Sequence, residues 1–398
     1  MACMNAAGMF LMDNMSGAAR NPEAWPMPML TKPIGSWNAI FMAEAFIDDT
    51  QQSGPRGGDK LYSPNWVMTN AEHQLGKNGA FEFQLMLSLE PASITDRRYP
   101  LLFQTGETAF GRPIVDGQHP HNSIMSLGFQ YALSLSENVT LELNFAPVGD
   151  PALGPIAYPH RASALELPQA TISHHLEDST HISDEVATAG IAYKKIKLEA
   201  SGFYGSEPGE NRWIIQAGPI NSWSTRLWYF PGKRWAAQVS TGHLSHPEAL
   251  EPGDQTRTTA SLEYSKPMWG SSWSSSLIWG RVHSTYTKRN LDAYTGETVL
   301  PIGQKNFITG RIDIADKDEL FSAQPAVEEY VDIFYGSTFR IGAYTFGYTR
   351  DIAVFKSLET GIGVNVEAYS LPSAIKPYYG DRPIGGNVFI RLRLKPRS

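Results

Sequence analysis

The sequence predicts an all-β fold: a closed antiparallel transmembrane β-barrel of about 16 strands, with short periplasmic turns and long extracellular loops. Three observations predict it. Apolar and polar residues alternate in segment after segment along the 398-residue chain, short and long connections follow one another in strict alternation, and charged residues in the segments keep to one parity.

GAFEFQLMLSLE (79–90) shows the first pattern. Phe81, Phe83, Leu85, Leu87 and Leu89 share one parity, and Glu82, Gln84, Ser88 and Glu90 share the other. A period of two is that of a strand with one apolar and one polar face. In chain order, the alternating segments are 37–47, 65–75, 80–90, 126–135, 139–146, 185–194, 196–205, 222–230, 234–244, 256–264, 272–282, 291–300, 306–314, 339–350, 358–369 and 387–394. Seven connections are short turns, such as GKNG, PGK and PIGQ, and eight are long loops. A barrel whose termini both lie on the inner side of an outer membrane produces this alternation. The barrel is expected over residues 36–398, preceded by a Met-rich periplasmic or plug segment, 1–35.

Composition narrows the alternatives. Hydrophobic residues make up 42% and charged residues 18%, with no apolar run long enough for a membrane helix. A mean hydropathy of −0.28 does not exclude a barrel, because a barrel spreads its lipid-facing residues over alternate positions. A net charge of −7 without a basic tract excludes nucleic acid as a partner. The single cysteine, Cys3, excludes an intramolecular disulfide framework. Met1 to Met29 has no basic start and no cleavage box, so the chain is expected to begin downstream of an export signal.

Charge at the bilayer midplane costs about 2–4 kcal/mol per Lys or Arg, which assigns the charged parity to the lumen. The lumen-facing set is Glu82, Glu142, Lys197, Glu199, Arg226, Glu263, Arg311, Asp313, Arg340, Glu359, Glu367, Arg391 and Arg393. A ring of this size leaves an aqueous channel, where these groups would hold water and set a transverse field. Their mixed signs argue against strong ion selectivity. Trp37, Trp66, Trp223, Trp228, Trp235, Trp273 and Trp279, with Tyr229 and Tyr369, lie near strand ends as an aromatic girdle would.

The strand–loop order, the closing run KPYYGDRPIGGNVFIRLRL and the segment DGQHPHNSIMSLGFQYALSL resemble an uncharacterised family of bacterial outer-membrane β-barrel, porin-like proteins. The resemblance runs from about residue 8 onward. It implies an upstream signal peptide, bilayer lipid around the barrel and recognition by the barrel-assembly machinery. One departure is the end of the chain, which continues past Phe389 into KPRS instead of closing on an aromatic residue. A homotrimer is expected by fold-level analogy.

Six of the ten histidines, His119, His121, His160, His174, His175 and His181, fall in the two longest loops, 91–122 and 147–183. QHPHN places His119 and His121 on one side of an extended chain, and HHLEDSTH adds Glu177 and Asp178 beside three imidazoles. Imidazole with carboxylate suits zinc, copper or nickel, and seven of twelve methionines crowd into residues 1–29, where thioether sulfur would favour Cu(I). The structural alternative is that these histidines hydrogen-bond loops that fold inward and set the aperture, since neither loop has a His-Glu-x-x-His spacing. Ser179 beside His174 or His181 offers no more than any polar loop, and no Gly-x-Ser-x-Gly elbow is present, so no enzyme is expected. NVT at 138–140 falls in a tight turn and carries no meaning as an acceptor. The reading is a channel for passive diffusion of small polar solutes with no required cofactor. The alternatives are a barrel that handles copper or zinc through its loop histidines, and a non-conducting scaffold.

Overall fold

The computed structural model describes residues 4–15, 17–321, 334, 336–355 and 358–394. Cys3, the closing KPRS and most of the loop expected over 315–338 lie outside the described residues. The strands are β1 (Leu30–Ile34), β2 (Trp37–Gln52), β3 (Asp59–Tyr62), β4 (Asn65–Leu75), β5 (Gly79–Leu87), β6 (Tyr99–Ala109), β7 (Arg112–Gln118), β8 (Ile124–Ser136), β9 (Val139–Gly149) and β10 (Ser183–Tyr193). They continue as β11 (Ile196–Tyr204), β12 (Ser222–Gly232), β13 (Trp235–Leu244), β14 (Gln255–Met268), β15 (Ser271–Ser284), β16 (Asn290–Ile302), β17 (Asn306–Lys317), β18 (Phe339–Phe355), β19 (Leu358–Ser370) and β20 (Ile384–Leu394).

Sixteen of these close an antiparallel ring. β2 pairs with β4 on one side and β20 on the other, and β5 pairs directly with β8. Each strand of the ring answers one alternating segment of the sequence. β1 and β3 are short additions along β2, and β6–β7 form a separate two-stranded ribbon. β2 runs to Gln52, past the last apolar contrast, because DDTQQ continues the ladder where the wall leaves hydrocarbon and neither face needs to be greasy.

The period-two reading holds along β5: Glu82, Gln84 and Met86 are buried inside, and Leu87 is exposed outside. Leu89 and Glu90 lie past the strand end, with Glu90 opening a short helix. On the inner face Glu82, Glu142, Lys197, Glu199, Arg226, Glu263, Arg311, Asp313, Glu359, Arg391 and Arg393 are each at most 8% exposed. Glu367 shares that face and accepts hydrogen bonds from Tyr369 and Thr345. Arg340 does not belong to the set. Its side chain is 59% exposed on the outer face and makes two bonds of 2.8 and 2.9 Å to Asp316 of β17. It sits at the extracellular end of β18, where water and a carboxylate satisfy an outward charge. Three girdle residues also turn inward. Trp228 donates to Glu199 at 2.9 Å, Tyr369 donates to Gln52 at 3.0 Å, and Trp66 packs on His160 with ring centroids 4.6 Å apart.

The lumen is filled with protein. Residues 150–182, between β9 and β10, are buried almost without interruption, and β6–β7 packs beside them. The helix Ala6–Met12 lies against β4, β5 and β8 near the periplasmic end, tied by Asn5 to the β4–β5 turn. Lys197 donates to the carbonyl of Ala18 and Gln130 to that of Gly17, so the N-terminal segment is held from the wall.

Some of the wall charges expected to organise water pair with one another, as Lys197 does with Glu142 and Glu199, and others bind this inserted chain. Glu166 sits between Arg391 and Arg393, and Arg161 bonds Glu297 at 2.6 Å and Asp178 at 3.1 Å. Asp313 accepts from the backbone N–H of Ile172 and the hydroxyl of Ser173, and Arg311 donates to the carbonyl of Gln169 at 3.0 Å. Arg226 donates to the carbonyl of Gly154 at 3.0 Å. Removing one partner of a buried ion pair costs about 3–5 kcal/mol, less where the others keep a second carboxylate. Glu166→Ala should therefore loosen the insert by about 2–3 kcal/mol. Limited proteolysis of the folded barrel should then cut within 150–182 while heat-resistant mobility on gels persists.

Candidate metal centre

Two separate loops bring five imidazoles together. His119 and His121 follow β7 in extended chain, and His174 and His175 stand on the helical turn His174–Glu177, with His181 one short turn later. Ring centroids are 5.1 Å apart for His174–His175, 5.5 Å for His119–His175, and 5.3 Å for both His174–His181 and His121–His181. Tyr158 lies across the group, 5.3 Å from His174 and 5.7 Å from His121. His119, His174 and His175 can each bring one ring nitrogen within 4.8 Å of the others.

Glycines permit this packing. A Cβ on Gly280 of β15 would stand 2.1 Å from the carbonyl oxygen of Leu176, so the helical turn reaches the wall only because that position is bare. Gly106 has φ +120°, and a Cβ there would stand 2.6 Å from the His175 ring.

Most of the imidazoles are oriented through Nδ1. His174 Nδ1 is 2.6 Å from Asp178 Oδ1, His121 Nδ1 is 2.9 Å from Glu90 Oε2, and His181 Nδ1 is 2.8 Å from the Asp178 carbonyl. Asp178 is itself fixed by Arg161 and by the backbone N–H of Tyr158. His119 Nε2 lies 3.0 Å from Glu107, and His175 Nδ1 stands 3.9 Å from the Glu207 carboxylate. For His174 and His181 a carboxylate or carbonyl holds Nδ1, the arrangement that orients a metal-binding histidine, whereas His119 is engaged at both nitrogens, Nδ1 by the Pro120 carbonyl at 3.1 Å and Nε2 by Glu107. Burial pushes the His119, His174 and His181 imidazoles below their usual range and His175 down to about 3, which leaves their lone pairs available at neutral pH.

Above the centre a cavity of about 60 Å³ opens among Gly106, His175, Glu248, Glu251, Asp318 and Glu319. Burial, with Glu251 and Asp318 alongside, raises the Glu319 carboxyl to about 7, and burial raises Glu248 and Glu251 as well. Lys317 and Arg289 line the same mouth and offset part of that charge. Below the centre a cavity of about 20 Å³, room for one water, lies among Glu90, His121, Tyr158 and Trp66.

The structure brings together the five loop histidines. It places His160 apart, against Trp66, and it leaves Ser179 bonded to Arg257 and near Glu207, away from any imidazole. Sequence reasoning missed Glu90, Glu107, Tyr158 and the acidic mouth. These come from β6 and four different connections, and only the E/D-rich tracts PEALEPGD and DKDEL hinted at them.

Comparisons with known proteins bear on the frame. No protein-family model and no curated protein matches the chain. Among solved structures, OmpF of Salmonella typhi, in complex with daunomycin, is similar over 92% of this chain and 100% of its own, with 9% identity and a TM-score of 0.53. OmpT, an outer membrane protein of Vibrio cholerae in trimer form, covers 89% and 99%, with 7% identity and a TM-score of 0.52. An anion-selective porin from Comamonas acidovorans covers 89% and 99% at 12% identity, with a TM-score of 0.49. The fold is that of the bacterial outer-membrane porins. At such identities the likeness concerns the fold alone.

Gly280→Val should force the His174–Glu177 turn off the wall. Overpacking of this kind costs about 1–3 kcal/mol, so thermal unfolding should shift down while the barrel's strand content is retained. Circular dichroism through a thermal ramp measures both.

Proposed function

We propose that this porin-type barrel is an outer-membrane channel of restricted aperture whose inserted loops form a binding filter for a transition-metal ion, zinc or copper. The observation that carries the reading is the convergence of His119, His174 and His175 from two loops, inside the lumen and beneath an acidic mouth. Imidazole nitrogens suit these ions, and Glu107, itself ion-paired with Arg212, stands beside His119. Buried carboxylates at Glu248, Glu251, Asp318 and Glu319 would concentrate cations before they meet His175. The barrel's apolar outer face would meet bilayer lipid, and assembly as a homotrimer would suit the fold.

Passive diffusion of small polar solutes is the second reading, favoured by polar and charged side chains on every side of the inner wall. It requires residues 150–182 to leave the lumen. A sealed scaffold is the third outcome of the same test.

Planar-bilayer recording with equilibrium dialysis separates these readings. The metal filter predicts small conductance steps, one retained Zn(II) or Cu(II) per chain, and block by the same ion. His174→Ala with His175→Ala should weaken binding by about 10–100-fold and remove the block. Large, steady, metal-insensitive steps that pass sugars would favour simple diffusion. No steps and no retained metal from well-folded protein would leave only a scaffold.

A further inference from the structure

We propose that a methionine cluster in the lumen, separate from the imidazole centre, is a binding site for a soft monovalent cation, Cu(I), with His160 as its nitrogen ligand.

The inner wall of the barrel is polar almost everywhere, yet one row across it is thioether. Met42 of β2 stands directly opposite Met68 of β4, and Met68 directly opposite Met86 of β5. Met86 faces Ser126 of β8, whose neighbour Met125 enters the same cluster at the strand's irregularity. Directly opposed residues on neighbouring strands have Cβ atoms about 4.5–5.5 Å apart, so these side chains are in mutual reach. From the inside, Met15, Met27 and Met29 of the N-terminal segment pack on the row, bringing seven of the chain's twelve methionines into one apolar cluster with Trp25, Val148, Ala162 and Ile182.

His160 points at this sulfur. Its Nε2 lies 3.2 Å from Met86 Sδ, its Nδ1 has no hydrogen-bond partner among the described residues, and the residue is 4% exposed. A buried imidazole normally secures an oxygen partner, because leaving a polar group unsatisfied costs about 1–3 kcal/mol. This one has a thioether at Nε2 in place of an oxygen.

Packing alone is an incomplete account of the row. Filling a lumen with apolar side chains calls for Leu, Ile or Val as readily as Met. Met is the one apolar residue whose sulfur is also a soft ligand. Thioether ligands select Cu(I), while imidazole alone also accepts zinc and nickel. Trp66, packed on His160, borders the cavity that also touches His121, so the two sites adjoin within the lumen. The thioether site does not depend on the imidazole centre, since the two sites share no ligand.

The test uses Ag(I), a redox-inert soft cation, and Cu(I) under reducing conditions, on the full refolded chain. Wild-type protein should retain one Ag(I) per chain after desalting, measured by elemental mass spectrometry. X-ray absorption of the Cu(I) form should contain sulfur and nitrogen in the first shell. Met68→Leu with Met86→Leu, which keeps volume and apolarity, should lower Ag(I) affinity by about 10–100-fold, and His174→Ala with His175→Ala should leave it unchanged. Equal Ag(I) binding by wild type and the leucine variant, or a first shell without sulfur in wild type, would mean hydrophobic packing only and overturn the site. The absorption measurement needs no variant, so it decides the matter even if the leucine pair fails to fold.

Discussion

The structure depends on one electrostatic constraint. A closed ring in a bilayer must turn its charges inward, and a lumen packed with protein offers them little water. A buried charge without a partner is far more costly than any single packing defect. The wall arginines and carboxylates therefore need partners, which neighbouring strands supply in part, as Glu199 does for Arg226 and Glu44 for Arg393, and residues 150–182 supply in part. Arg161 and Glu166 carry the complementary charges, while the backbone at Gly154, Gln169 and Ile172 supplies hydrogen bonds. The wall holds the insert in place, and the insert neutralises the wall.

That mutual dependence positions the candidate metal centre. Arg161, fixed by Glu297 of β16, fixes Asp178 in turn, and Asp178 orients His174 through Nδ1 and His181 through its carbonyl. Rotamers that a solvated loop would leave free are set by a chain of bonds leading back to the barrel. Bare backbone at Gly280 and Gly106 lets the histidine-bearing turn approach closely. Preorganisation of this kind favours ion binding, because little side-chain entropy remains to be lost.

The barrel was legible because a period of two is a strong local signal and each strand of the ring carries it. GAFEFQLML placed Glu82 and Gln84 inside from residue order alone. Arg340 was misread because the rule that charge faces the lumen holds within hydrocarbon and lapses at the extracellular rim, where Asp316 answers it. Trp228 and Tyr369 were misread for a related reason. An aromatic near a strand end can face inward when its N–H or O–H finds a polar partner there, as each does. The histidines were visible as residue types in two loops, but their meeting was not. It rests on contacts between chain segments 55 or more residues apart, such as His119 with His174, for which no local pattern exists. The methionine row was hidden in the same way, since Met42, Met68, Met86 and Met125 become one feature only through strand register.

The central claim is that the insert occupies the lumen because the wall binds it. Ser163 of the insert and Ser276 of β15 have hydroxyl oxygens 2.6 Å apart, which makes them a direct reporter. With Cys3 replaced by Ser, cysteines at 163 and 276 should form a disulfide in the intact outer membrane, detected by gel mobility before and after reduction. The account predicts near-complete cross-linking with the barrel folded. A folded barrel in which both thiols stay reduced and react with a membrane-impermeant label would contradict it.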